Sequence, residues 1–261
     1  MKARQVLDAL EQYAPLPLQD GFDNAGLQIG LTEEQEVTGA LLCLDVTESV
    51  IDEAEREGCN LIIAHHPLLF HGLKSIIGKS YVERCVVKAI RKGIAIYAAH
   101  TNLDNAQGGV NYRIANRIGL TDLQFLTSKE SEISAGAGVI GMLPEEEDEK
   151  DFLLRLKVLF GIQSIRHNRL SGRKISRVAL CGGAGGFLLG NAIAQGANAF
   201  LTGEMRYHDY FGHDDELLIA EMGHYESEQF TIDIFEDILR TRFPELRIVK
   251  TSLNTNPINY L

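Results

Sequence analysis

Apolar and polar positions alternate along this chain in two rhythms that take turns. Val6, Leu7 and Leu10 share one face of a helical period over residues 3–13, a short helix ended by Pro15 and Pro17. A loop rich in Gly, Asn and Asp follows over 20–30. Thr38–Leu44 is an apolar run that reads as a buried strand, and Thr47 is placed to cap a helix running to Glu57 and stopped by Gly58. Asn60–Ala64 predicts a second strand, Tyr81–Lys92 a helix stopped by Gly93, Ile94–Ala99 a third strand and Val110–Ile118 a helix. This β-α-β-α-β-α order predicts a parallel sheet covered by helices.

The pattern changes character over 127–175. Pro144 opens the string Glu145-Glu146-Glu147-Asp148-Glu149, which reads as the solvated, negatively charged start of a helix over Lys150–Phe160. The alternation then resumes. Ile175–Cys181 is a strand, the Gly182–Gly186 loop leads into a helix ending at Gln195, and Ala197–Leu201 and Leu217–Glu221 are further strands. A long helix over Tyr225–Arg240 and a strand over Leu246–Lys250 complete the chain. The fold class is therefore α/β, with two similar α/β lobes. We expect them to cover 1–126 and 127–261, with the C-terminal segment packing back on the first. No residue-level repeat accompanies the shared rhythm.

The composition, 45% hydrophobic and 23% charged over 261 residues, is that of an ordinary globular protein. A net charge of -11 without a basic stripe argues against direct nucleic-acid binding. No apolar run approaches the ~20 residues that span a bilayer, and no apolar signal core follows Met1, so we expect no membrane partner and a cytoplasmic protein. Cys43, Cys59, Cys85 and Cys181 are far apart and form no C-x-x-C pair. Free thiols are expected, not disulfides or a cysteine zinc site.

The chemistry gathers where predicted strands end. Ala64-His65-His66-Pro67 follows the second strand, and His100 and Asp104 follow the third. Gly223-His224-Tyr225-Glu226-Ser227-Glu228 follows the strand at 217–221. Open α/β sheets build their sites at such ends. His65, His66, Asp104, His224 and Glu228 together supply three imidazoles and two carboxylates, enough for two divalent metal ions with positions left for water. Taken singly, each has a plainer reading. The histidine pair suits hydrogen bonding at a sheet rim, Asp104 an Asx turn, and His224 with Glu228 a capping interaction. Glu204 and His208 repeat the spacing of His224 and Glu228, so that spacing alone is weak evidence. Gly182–Gly186 lacks both the P-loop Lys-Ser/Thr and the G-x-G-x-x-G spacing, so a tight turn is a better reading than a nucleotide cradle. No G-x-S-x-G elbow is present.

Four strings carry a resemblance: Asp23-Asn24-Ala25-Gly26-Leu27-Gln28-Ile29-Gly30, Ala64-His65-His66-Pro67-Leu68-Leu69-Phe70, His100-Thr101-Asn102-Leu103-Asp104 and the segment from Gly223 to Glu228. Together with Thr202-Gly203-Glu204, they resemble the Nif-three-like dinuclear metal-binding family, whose bacterial members are labelled GTP cyclohydrolase I type 2 homologs. The resemblance implies a dinuclear metal site between the two lobes and carries ligation onto His65, His66, Asp104, His224 and Glu228. It also implies a homohexamer. Zinc, iron and manganese all suit such mixed ligation. The expected function is that of a metal-dependent hydrolase acting on a small, nucleotide-like substrate, with His100 or Glu204 moving a proton; only if the cyclohydrolase label applies would the Gly182–Gly186 loop hold phosphate. The competing expectations are a non-enzymatic protein that stores or delivers metal, and a regulatory interaction protein that uses metal for stability.

Overall fold

The computed structural model describes residues 1–30, 35–128 and 134–261. The chain begins with α1 (Ala3–Tyr13), β1 (Gly26–Ile29), β2 (Ala40–Cys43), α2 (Glu48–Arg56) and β3 (Leu61–Ala64). It continues through α3 (Tyr81–Lys92), β4 (Ala95–Ala98), α4 (Thr101–Asp104), α5 (Val110–Ile118), β5 (Thr121–Phe125), β6 (Val139–Asp148) and α6 (Glu149–Phe160). Then come β7 (Arg166–His167), β8 (Lys174–Cys181), α7 (Leu189–Ala194), β9 (Ala199–Thr202), β10 (Leu218–Glu221), α8 (His224–Glu228), α9 (Thr231–Arg242) and β11 (Ile248–Lys250). The chain divides into two compact units. Met1–Leu103 joins Thr231–Pro257 in the first, and Asp104–Phe230 joins Ile258–Leu261 in the second. The changeover thus falls at Asp104 and not near 126, because α5 packs on β5, β6 and β8. The segment 231–257 groups with the first unit.

The first unit is a five-stranded sheet in the order β1-β4-β3-β2-β11, parallel except for β1. The apolar run of each inner strand is fully buried, with Leu41, Ile62 and Ile96 packed against Val50, Ile51, Cys85 and Val86 from the covering helices. Helix α2 starts where expected, because the Thr47 hydroxyl accepts from the Val50 N–H. β1 lies within the stretch expected to be a loop. Only its two ends are buried, so its apolar signal is too sparse for a strand to be read from it.

Glu53, on α2, is buried and ties down the segment after β11. It accepts from the Ser252 N–H at 2.9 Å, from the Ser252 hydroxyl at 2.5 Å and from the Thr251 hydroxyl. Burial opposes its ionisation, but these hydrogen bonds outweigh it and hold the carboxyl below its usual value of 4.5. A depressed folded pKa gives stability that is full above the ordinary carboxylate value and lost as the pH falls through the folded one. Glu53→Gln is expected to cost about 2 kcal/mol at pH 7. The gap from wild type should close in urea titrations repeated below pH 4.5. A gap independent of pH would contradict the ionised latch.

The second unit is a six-stranded sheet in the order β5-β6-β8-β9-β10-β7, with a parallel centre of β8, β9 and β10. β5, β6 and β7 pair antiparallel at its sides. Ala179, Phe200 and Ile219 pack beneath Leu188, Leu189 and Ala192. The acidic string expected to start a helix is strand instead. Glu147 and Asp148 pair with Ile175 and Lys174, and the register shifts between Met142 and Glu147, so the ladder steps past Pro144. Glu149 alone begins the helix, and its buried carboxylate accepts from the Ser171 and Gly172 N–H groups, each at 2.8 Å. The long helix expected over 225–240 is two, α8 and α9. The break coincides with Phe230, whose ring lies 3.6 Å from the Arg117 guanidinium and 5.9 Å from the Phe160 ring. All four cysteines are buried and none forms a disulfide. No helix among the described residues is long and apolar enough to cross a membrane.

Candidate metal centre

In the first unit, three parallel strands end in register. Cys43 pairs with Ala64 and Ala64 with Ala98, so the residues that follow them leave one carboxyl edge of the sheet. Those residues include Asp45, His65, His66 and His100. The three imidazoles converge, with ring centroids 4.9 Å apart for His65 and His66, 5.3 Å for His65 and His100 and 5.5 Å for His66 and His100. Each offers a nitrogen within 4.8 Å of those of the other two, close enough to hold a metal ion.

Each ring is fixed through Nδ1. The His65 Nδ1 lies 2.9 Å from the Ala99 carbonyl, which can only accept, so Nδ1 carries the hydrogen and Nε2 the lone pair. The His66 Nδ1 is 2.7 Å from the Asp45 carboxylate, and the His100 Nδ1 is 2.7 Å from that of Asp23. Burial would raise the Asp23 pKa. Hydrogen bonds from His100 and from the Thr101 hydroxyl and N–H outweigh it, and the carboxyl is held down at about 2. Asp45 follows the same logic: burial is overcome by His66 and by the Thr255 hydroxyl, and its pKa lies below the ordinary value. Both acids stay ionised at neutral pH and act as acceptors for the rings they orient. An imidazole whose far nitrogen is tied to a carboxylate or carbonyl is the usual arrangement behind a metal ligand.

The second unit repeats the device. Cys181 pairs with Thr202 and Thr202 with Glu221, and the chain leaves this edge as Gly182-Gly183, Gly203-Glu204 and Gly223-His224. The His224 Nδ1 is 2.8 Å from the Glu204 carboxylate, and its Nε2 is 3.1 Å from that of Glu228, one helical turn on. Asp104, at the end of α4, offers a carboxylate oxygen within 4.8 Å of that of Glu228. Its backbone carbonyl accepts from the Asn111 side chain, which in turn accepts from the Gly182 N–H.

The structure thus gathers His65, His66 and His100 in one unit, and Asp104, Glu204, His224 and Glu228 in the other. In the glycine loop, the Gly182, Gly183 and Gly185 N–H groups donate to Asn111, Ser227 and Thr202, as in the tight turn expected from the sequence. Sequence reasoning passed over Asp23 and Asp45. Asp45 sits two residues past a strand end, just as His66 and His100 do, and that placement is a usable signal. Asp45→Ala is expected to leave the fold intact and to weaken metal binding about 10- to 100-fold. Competition with a chelator measures it, and an unchanged affinity would remove Asp45 from the centre.

Residues 1–257 match the Duf34/NIF3 (NGG1p interacting factor 3) family model. A protein of Lactococcus lactis subsp. lactis called GTP cyclohydrolase 1 type 2 homolog is 35% identical over 266 residues, 98% of each chain. One of the same name from Clostridium perfringens is 32% identical over 229 residues, 87% of each. Among solved structures, protein SA1388 of Staphylococcus aureus superposes with a TM-score of 0.91 at 27% identity, covering 100% of this chain and 99% of that one. A Bacillus cereus protein related to NIF3 shares the fold, with a TM-score of 0.90, 24% identity and the same coverage.

Proposed function

Because the chain belongs to the Duf34/NIF3 family, we propose that His65, His66, Asp104, His224 and Glu228 hold two divalent metal ions and that the protein is a metal-dependent hydrolase of a small, nucleotide-like substrate. The observation that carries this reading is the common setting of the imidazoles: every candidate ring has its Nδ1 tied to an oxygen, and the His224 Nε2 lies 3.1 Å from the carboxylate of Glu228, a second member of the proposed ligand set. The proposed ligand set mixes imidazoles with carboxylates, a combination that divalent transition metals accept. Zinc, iron and manganese all suit this set.

Such ions supply Lewis acidity, polarising a carbonyl or phosphoryl oxygen and lowering the pKa of water. The chain's own groups do the rest. His100 donates through Nδ1 to the ionised Asp23, so Nε2 is the atom that takes or gives a proton. Glu204 holds the His224 ring in orientation, which makes it a positioning residue. The relatives' name directs the choice of substrate to a purine nucleotide. The homohexamer is part of the same proposal, and light scattering tests it.

Elemental analysis of the purified protein, paired with a turnover screen of nucleotides and phosphoesters, tests the function. Two equivalents of metal with turnover abolished by chelation is the expected result. Two equivalents that pass readily to an apo-acceptor, with no turnover, would replace the hydrolase by a metal-delivery role.

A further inference from the structure

The second unit contains a cleft of about 900 Å³ that borders the candidate centre at Glu204. Glu204 both lines the cleft and holds the His224 Nδ1, so a molecule lodged there would reach the residue that orients a candidate ligand. A volume of this size suits a small-molecule site.

The lining has a particular chemistry. Arg166 is engaged by Glu221 at 2.8 Å, and Glu221 also takes the Tyr210 hydroxyl at 2.9 Å, so that wall is internally neutralised. Of the other charged or ionisable lining residues, Glu204 holds His224, His213 pairs with Glu216 and His208 packs against Tyr207 and Phe211, whereas among the described residues neither the Arg206 nor the Asp209 side chain makes a hydrogen bond or ion pair. Phe187 lines the same cleft with its ring 70% exposed, a large cost for a side chain that nothing covers. A flat apolar face, an open carboxylate acceptor and an open guanidinium form a complementary set. Together they match a planar ring with N–H donors on its edge and an anionic tail.

We infer that this cleft binds a purine nucleotide, with Phe187 against the face of the base, Asp209 accepting from its N–H edge and Arg206 taking the phosphate. The inference deepens the proposed function and rests on it for what becomes of the bound molecule. It also gives the phosphate a place other than the glycine loop, where the Gly182, Gly183 and Gly185 N–H groups already have acceptors.

Calorimetric titration of the metal-loaded protein with GTP, guanosine and inorganic triphosphate tests it. GTP is expected to bind more tightly than either fragment. Phe187→Ala should weaken GTP and guanosine alike, and Arg206→Ala should weaken GTP and triphosphate but not guanosine, each at least tenfold. Metal content should stay at the wild-type level in both variants. Wild-type GTP affinity in both variants, or no GTP binding by the wild type, would overturn the cleft while leaving the metal centre standing. The predicted pattern in a protein found to hold no metal would do the reverse. Tyr207 and Phe211 are also exposed nearby. A fall in assembly mass for Phe187→Ala with unchanged GTP affinity would instead make this face a contact between copies and overturn the proposal.

Discussion

His224→Ala purifies as a folded protein that has lost its metal: this is the largest effect expected of any single substitution. His224 is the one imidazole among the candidate ligands of the second unit, and its Nε2 already lies 3.1 Å from Glu228. Its loss removes a ligand and leaves the two carboxylates facing each other's charge. The weakening should exceed the 10- to 100-fold range typical of losing an outer partner such as Glu204 or Asp45. His65→Ala should do the same from the other unit. Metal analysis and chelator competition on both variants decide the matter. Full metal content in purified His224→Ala would rule out the site.

Gly183→Ala is expected to be nearly as damaging by a different route. The residue has a φ of +57°, where an alanine costs about 1 kcal/mol or more. A methyl group there would sit 2.3 Å from the Glu228 Oε1 and 3.3 Å from the His224 Nε2. The first obstacle is the end of a flexible side chain, so the fold can accommodate the methyl by pushing the carboxylate aside. Metal affinity should therefore fall more than tenfold while the melting temperature drops by only a few degrees. Gly203→Ala makes the contrast. Its methyl would meet the Gly183 carbonyl at 2.7 Å and the Ser227 hydroxyl at 2.8 Å, and backbone cannot swing away. That variant should lose stability first. Equal metal affinity in Gly183→Ala and wild type would show that the loop does not hold Glu228 in place.

The parts of the fold that could be read in the sequence were those where local signals agreed. The inner strands are continuous apolar runs because both faces of each parallel sheet are covered, and Thr47 marks a helix start by a bond that forms as expected. The misreadings fell where tertiary pairing overrides local preference. Glu145–Asp148 has the composition of a solvated helix start, yet it lies in β6, paired at Glu147 and Asp148 with a neighbour from a distant stretch of chain. The helix expected over 225–240 is interrupted at Phe230, whose ring lies against Arg117 and Phe160, neither of which is near in sequence. At the site, the residue types most often used as ligands stood out. The acids that orient them did not: Asp45 shares their placement past a strand end, but Asp23 acquires its meaning only when the fold brings His100 beside it.

The pairing of β2 with β11, in which Ala40 meets Ile248, sets the order in which the molecule can be made. On the ribosome, the first unit has all of its strands but one early, and then waits for the whole second unit to be synthesised before its sheet is complete. Through that interval one side of β2 is an unpaired edge, open to any extended chain nearby. A nascent chain stalled before Ile248, or one clipped after the second unit, keeps that edge exposed and loses the Glu53 latch as well. Such fragments should be the aggregating species in expression, and it is β11 that covers the β2 edge with a short three-residue strand.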